Sequence, residues 1–162
     1  VEADVDQEGQ PLADFLDHGI SLLAFDAGLI LQKDFLRLGR HGGSGATLSA
    51  WIADQRINAV LITGGTGFSG RDSSPEAVRP LFDKEIDGFG EVFRALSLAE
   101  IGSSTIQSRA VAGFANDTVI FCMPGSTGAC KTAWNGIIRE QLDSRHRPCN
   151  FVGVLGVRAD SE

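Results

Sequence analysis

Short apolar runs alternate along this chain with segments of helical periodicity, and this alternation limits the fold more than any other feature of the sequence. The clearest strand-length runs are residues 20–25, 58–63 and 118–123. Such alternation is typical of an α/β sheet that helices cover. Because 162 residues with 43% hydrophobic content suit one compact core and are too few for two ordinary domains, we expect a single domain over residues 1–162.

Apolar side chains at helical spacing predict where the helices lie. The best-supported helix covers residues 129–143, where the spacing i, i+3, i+4, i+7 is kept by Cys130, Ala133, Trp134, Ile137, Ile138, Gln141 and Leu142. Shorter faces are formed by Leu12, Phe15 and Leu16, with Gly19 as a stop, and by Leu48, Trp51 and Ile52. A further helix is predicted to begin at Ser73-Ser74-Pro75-Glu76, which has capping-box spacing and a proline in the first turn.

Two neighbouring stretches do not fit the alternation. Residues 29–38 are apolar without a regular period. Residues 39–45 contain four glycines in seven positions, which predicts a flexible loop.

Composition argues against several classes of protein. A formal net charge of −7 is unlike that of nucleic-acid binders, which collect lysine and arginine to neutralise phosphates. No run approaches the roughly 20 apolar residues of a membrane span, and the opening Val1-Glu2-Ala3-Asp4 is unlike a signal peptide. We therefore expect a cytoplasmic protein with no nucleic-acid or membrane partner. Three cysteines without CxxC spacing favour reduced thiols, with Cys122 and Cys130 in the core.

Two predicted strands run directly into loops rich in glycine and hydroxyl groups. These loops are Gly64-Gly65-Thr66-Gly67 and Pro124-Gly125-Ser126-Thr127-Gly128. Ligands of open α/β sheets bind outside the carboxyl ends of the strands, so the two loops are candidates for one crevice. The second loop also leads into the predicted helix at 129–143, whose first amides favour an anion such as phosphate. The alternative is that both loops are ordinary tight turns.

Asp72 follows the first loop and is the candidate metal ligand. A carboxylate beside a bound phosphate is repelled unless it holds a cation, and magnesium takes one or two carboxylates together with phosphate oxygens. The alternatives are a salt bridge from Asp72 to Arg71 or Arg79, or a second cap for the helix at Pro75. Glu76 is predicted to be a capping residue and not a metal ligand.

Other motifs match less well. Gly65-Thr66-Gly67-Phe68-Ser69-Gly70 satisfies the GxGxxG pattern of a nicotinamide dinucleotide site, but Pro75 places the helix start beyond the third glycine. The same residues have P-loop spacing and lack the lysine and hydroxyl that follow in a P-loop. His18, His41 and His146 are too scattered for a metal site, and a structural role at helix ends is favoured for His18 and His146.

Over residues 59–152 the sequence resembles the MoaB/MogA family of molybdenum cofactor biosynthesis proteins, and it is closer to MoaB. The resemblance is carried in order by residues 61–67, Arg71-Asp72, Pro75-Glu76-Ala77, 81–91, Glu100-Ile101-Gly102, Ser108-Arg109-Ala110, 124–130 and 141–151. It implies a three-layer αβα domain with a mostly parallel central sheet, which binds molybdopterin and assembles as trimers or hexamers. Other molybdenum cofactor biosynthesis proteins are further candidate partners.

The resemblance also implies a reaction and the residues that carry it. Active members use ATP and Mg²⁺ to adenylylate the terminal phosphate of molybdopterin. By this comparison the first loop and Asp72 handle nucleotide and magnesium, with Asp72 as the catalytic residue, and the second loop binds the pterin. The N-terminal third departs from the family pattern, so its first strand is expected to be incomplete and the second acidic ligand is Asp34 or, failing that, Asp26. A non-catalytic molybdopterin-binding or scaffold protein is the alternative function.

Overall fold

The computed structural model describes the backbone of residues 29–33 and 44–155, with side chains from residue 47 onward. The strand predicted at residues 20–25, the helical face at residues 12–16 and most of the predicted loop at 39–45 lie outside the described residues. Gly45 lies inside a helix and not in a loop, which corrects the end of that prediction.

Five described strands form one sheet. They are β1 (Leu29–Lys33), β2 (Ala59–Thr63), β3 (Lys84–Glu85), β4 (Val111–Ala115) and β5 (Thr118–Met123). Their order is β1-β2-β5-β4-β3, with β1, β2 and β5 parallel to one another and β4 antiparallel to both its neighbours. Four of these five strands therefore run in one direction, and the predicted mostly parallel sheet is confirmed.

The described helices cover both faces of this sheet. They are α1 (Ser44–Ala53), α2 (Ser74–Val78), α3 (Asp87–Ile101), α4 (Thr127–Ala133) and α5 (Arg139–Gln141). A π-helical segment, Trp134–Ile138, joins α4 to α5 without a break, and 3₁₀ turns lie at Arg79–Leu81 and Gly102–Gln107. The helices predicted around Leu48, Ser73 and residue 129 are confirmed.

The core consists of two clusters, one on each face of the sheet. Alternate strand residues point to opposite faces, so Leu61 and Phe121 belong to one cluster and Ile62 and Cys122 to the other. The first cluster is completed by side chains of α3 and α4, and the second by side chains of α1 and α2. The result is the expected three-layer arrangement. Cys122 and Cys130 are buried, as predicted. Within the described residues, every helix is too short or too polar to cross a bilayer.

Candidate functional site

The two glycine-rich loops lie in contact. Thr63 and Met123 are paired at the ends of neighbouring parallel strands, so the loops leave the sheet at the same edge. The Gly64 amide donates to the Met123 carbonyl across 2.9 Å. A Cβ on Gly125 would lie only 3.1 Å from the Gly64 Cα, so glycine at position 125 permits this close approach. Gly64 itself has φ 92°, in the region that favours glycine.

The second loop ends in a capped helix. Ser126 is the N-cap of α4, and its hydroxyl oxygen accepts from the Ala129 amide at 3.2 Å while its carbonyl accepts from the Cys130 amide at 3.0 Å. The Ser126 hydroxyl keeps its own proton for donation, since a hydroxyl both donates and accepts. The positive end of the helix dipole thus lies beside a hydroxyl donor, which is an arrangement that favours an anion.

Asp72 is held by the loop that precedes it. The Ser69 backbone amide donates to Asp72 Oδ2 at 2.9 Å, and the Ser69 hydroxyl donates to the same oxygen. These bonds, the one from the hydroxyl most of all, hold the pKa of Asp72 below its ordinary value. A Cβ on Gly67 would lie 2.9 Å from Oδ2, so a larger residue there would push the carboxylate away from this position.

The two carboxylate oxygens of Asp72 differ in their contacts. Oδ1 accepts no hydrogen bond from the residues that the structure describes, and the carboxylate forms no ion pair with Arg71 or Arg79 within that part of the chain. Arg79 instead pairs with Glu85 at 3.0 Å. The salt bridges considered for Asp72 from the sequence are therefore not formed.

Arg109 holds the first loop in place from a distant part of the chain, and no role was predicted for it from the sequence. Its Nε donates to the carbonyls of Gly67 (2.9 Å) and Thr66 (3.2 Å), and its Nη2 donates to the Asp72 carbonyl at 2.6 Å. Its Nη1 donates to the Glu76 carboxylate. Arg109 reaches the loop because β4 is antiparallel, which brings the residues just before β4 to the edge where β2 and β5 end.

The predicted capping box at the start of α2 is not formed. The Ser73 side chain makes no capping bond, and the Ser73 carbonyl accepts from the Ala77 amide at 3.0 Å. A hydrogen bond from its own backbone amide and the Arg109 guanidinium hold the pKa of Glu76 below its ordinary value. Arg109 is positively charged, so it binds the Glu76 carboxylate more strongly than the neutral backbone amide of a capping box would. Glu76 therefore pairs with the arginine that holds the first loop, and it does not cap α2.

The other carboxylates and the histidines considered as metal ligands make none of the contacts described above. Asp34 and Asp26 lie outside the described residues, as do His18 and His41. His146 lies with Nε2 3.9 Å from Glu140 Oε2, beside the helix that it follows. Within the described part of the chain no three His, Cys, Asp or Glu side chains are grouped as a metal site.

The architecture defines an α/β domain with two touching glycine-rich loops at the carboxyl edge of its sheet, one carrying an ionised aspartate and the other opening a helix. Residues 43–144 match the family described as "Probable molybdopterin binding domain". The chain therefore belongs to the MoaB/MogA family of molybdenum cofactor biosynthesis proteins.

Individual relatives agree with this assignment. The chain is 66% identical over 106 residues to Molybdenum cofactor biosynthesis protein B of Escherichia coli K12. The aligned stretch covers 65% of this chain and 62% of that protein. It is 40% identical over 141 residues to the protein of the same name from Bacillus subtilis strain 168, with 86% of this chain and 78% of the relative covered. A crystal structure of Molybdenum cofactor biosynthesis protein B superimposes with a TM-score of 0.63 at 33% identity, covering 72% of this chain and 91% of the other. The chain thus spans about three fifths of the E. coli relative.

Proposed function

We propose that this protein acts in the cytoplasm in molybdenum cofactor biosynthesis, binding molybdopterin and adenylylating its terminal phosphate with Mg-ATP. In this reaction a molybdopterin phosphate oxygen attacks the α-phosphorus of ATP, and pyrophosphate leaves. The observation that carries the proposal is the contact between the two loops, which puts the ionised Asp72 loop beside the helix start at Ser126. A transfer between two bound substrates needs such neighbouring sites, because the reacting atoms must be held within about 3–3.5 Å.

The residues present fit a magnesium ion that is shared with substrate oxygens. Asp72 is ionised, and its Oδ1 accepts no hydrogen bond from the described residues. One or two carboxylates with phosphate oxygens and water are the usual ligands of this ion. Asp72 would hold it, and the ion would supply neutralisation of the charge that develops on the phosphates. Asp34 is the proposed second carboxylate, with Asp26 as the next candidate.

The protein's own groups would act by binding and positioning. Gly64, Gly65, Thr66 and Gly67 would lie along the nucleotide phosphates, where glycine lets a ligand approach the backbone. The Ser126 hydroxyl and the first amides of α4, with Pro124, Gly125, Thr127 and Gly128, would hold molybdopterin. No covalent protein intermediate is required, since phosphoryl-type transfer depends mainly on positioning and charge stabilisation.

The test is single-turnover adenylyl transfer by Asp72→Asn beside a matched control. Wild type incubated with molybdopterin, ATP and Mg²⁺ should form adenylylated molybdopterin and pyrophosphate, and Asp72→Asn should reduce the rate by about a hundredfold or more. Asp54→Asn is the control, because Asp54 is also hydrogen-bonded by a neighbour, with its pKa lowered to about 2, but precedes β2 at the opposite edge of the sheet. Equal rates in the two variants would remove Asp72 from the reaction.

A second candidate function is molybdopterin binding without transfer. It is favoured by one specific observation: Glu76, a second carboxylate near the loops in the described part of the chain, is already held by Arg109. If the protein binds molybdopterin and forms no adenylylated product, the enzyme proposal fails and this one stands. Molybdopterin affinity should then be the same with and without Mg-ATP.

We also propose that the protein assembles as a homo-trimer or homo-hexamer. Besides the family resemblance, support comes from apolar residues exposed on α3, namely Val92, Leu98 and Ile101, which are 48%, 55% and 55% exposed. A second copy would remove this apolar surface from water. Light scattering at two protein concentrations tests the assembly, and a monomer at both would refute it.

A further inference from the structure

Phe68 is unusual among the aromatic side chains of this protein. Of those that the structure describes, it alone is exposed, with 72% of its surface accessible. It directly follows the first loop, between Gly67 and Ser69, which is bonded to the Asp72 carboxylate. A single exposed apolar residue is common on any protein, so exposure by itself implies nothing. Its surroundings are what make Phe68 informative.

One face of the Phe68 ring is backed by a cation. The Arg109 guanidinium carbon lies 5.3 Å from the ring centroid, within the range of a cation–π contact. Arg109 is itself immobilised by its bonds to the Thr66, Gly67 and Asp72 carbonyls. The ring is therefore oriented by a rigid partner on one side, while its high exposure leaves the other side accessible. An oriented aromatic ring with an accessible face is what a stacking contact requires.

We propose that the open face of Phe68 stacks on a planar nitrogen heterocycle, namely the adenine base of the nucleotide. This inference rests on the proposed function and names a contact that determines nucleotide specificity. Adenine is favoured over the pterin ring because Phe68 and Asp72 both lie in the short segment that follows the first loop, and the Asp72 carboxylate would face the nucleotide phosphates. The phosphates and the base of one ligand would then be bound by a single segment, residues 64–72, which Arg109 holds together.

Equilibrium binding without turnover distinguishes contacts to the base from contacts to the phosphates. ATP, inorganic tripolyphosphate and molybdopterin are titrated separately, each with Mg²⁺, into wild type, Phe68→Leu and Phe68→Trp. Leucine keeps an apolar side chain and removes the π face, so ATP should bind about tenfold more weakly while tripolyphosphate is unchanged. Tryptophan should keep or raise ATP affinity. Val154→Ala is the control, since Val154 is 61% exposed and lies in neither loop.

Each outcome decides the proposal. Unchanged ATP affinity in Phe68→Leu refutes stacking, and so does an equal loss of ATP and tripolyphosphate, which would mean that the loop had lost its shape. Failure of the wild-type protein to bind any of the three probes also overturns it. A loss of molybdopterin affinity alone would also overturn the proposal, because the pterin and not adenine would then depend on Phe68. Because no product is measured, absence of adenylyl transfer leaves these results unaffected, and the failure of the two proposals can be told apart.

Discussion

Replacing Arg109 with methionine should loosen the first loop while leaving the core packed. The Arg109 side chain is only 23% exposed and makes two well-formed bonds to backbone carbonyls, those of Gly67 and Asp72. Hydrogen bonds to a charged donor contribute about 1.5 kcal/mol each at the low end, so their loss should lower the free energy of unfolding by about 3 kcal/mol. We add little for the ion pair, because Glu76 is 56% exposed and water screens it.

Urea unfolding measures this loss directly. For a domain of this size a change of about 3 kcal/mol should move the urea midpoint by about 1–2 M. Hydrogen exchange adds a local measurement, because the Ser74 amide donates to the Gly65 carbonyl at 3.0 Å and should lose protection when the loop opens. Arg109→Lys should lose about half as much, since one ammonium group cannot reach both carbonyls at once.

The control for Arg109 is Arg56→Met. Arg56 also pairs with a carboxylate, that of Asp54 at 2.6 Å, but its side chain is 89% exposed, so no measurable change in stability is expected. If Arg109→Met unfolds with the wild-type midpoint and the Ser74 amide keeps its protection, the loop does not depend on Arg109. The role inferred for Arg109 would then be wrong.

Three further predictions follow from single contacts. Gly125→Ala should weaken binding of both ATP and molybdopterin in titrations, because its Cβ would meet the opposite loop at 3.1 Å; unchanged affinities would mean that the contact yields freely. Ser69→Ala should raise the pKa of Asp72 toward 3.8, as followed by carboxyl NMR shifts. Since the folded pKa is the lower one, Asp72 stabilises the protein above about pH 4 and this contribution is lost as pH falls through the folded pKa. In the variant the contribution should be smaller, and its loss should be complete at higher pH. At pH 8 the exposed Cys149 should react with iodoacetamide in the native protein and Cys122 should not, because burial raises the pKa of Cys122 to about 12; mass spectrometry of the alkylated chain decides.

The two strands that precede the loops, β2 and β5, were predictable from the sequence because buried strands of this kind appear in it as continuous apolar runs. Every residue of β5 is buried, and the predicted run at 118–123 coincides with the strand. The run predicted at 58–63 differs from β2 by one residue. In both cases a continuous apolar segment ends sharply at glycine or proline, which marks the strand end unambiguously. The positions of the two loops followed from this.

The sequence patterns of β1, α3 and the π-helical segment were too irregular or too ordinary to identify these elements. β1 lies within an apolar stretch, and its last two residues, Gln32 and Lys33, are polar, so neither alternation nor length identified it. The core-facing residues of α3 include Gly90 and Ser97, whereas Leu98 on the same helix is exposed, which obscures its amphipathic pattern. The π-helical segment keeps the apolar spacing of an ordinary helix and could not be distinguished from one.

Arg109 was missed for a different reason, which is that its partners are distant in sequence. It lies 37 residues after Asp72 and 43 after Thr66, and no local pattern links these positions. The available indication was an arginine two residues before a buried strand. Such a residue must reach the sheet edge, but the direction of β4 was needed to show which edge that is.

The two loops differ in how far along the chain the residues that hold them lie, and this difference bears on the two candidate functions. The second loop is fixed by neighbours in sequence, since Ser126 caps the helix that follows it. The first loop depends on Arg109, a residue from a different part of the chain. A substitution at Arg109 is therefore expected to loosen the first loop, which we propose for the nucleotide, while the second loop, proposed for the pterin, keeps its own hydrogen bonds. We therefore predict that losing the Arg109 contacts would abolish the proposed transfer and leave molybdopterin binding, the core and the second loop in place.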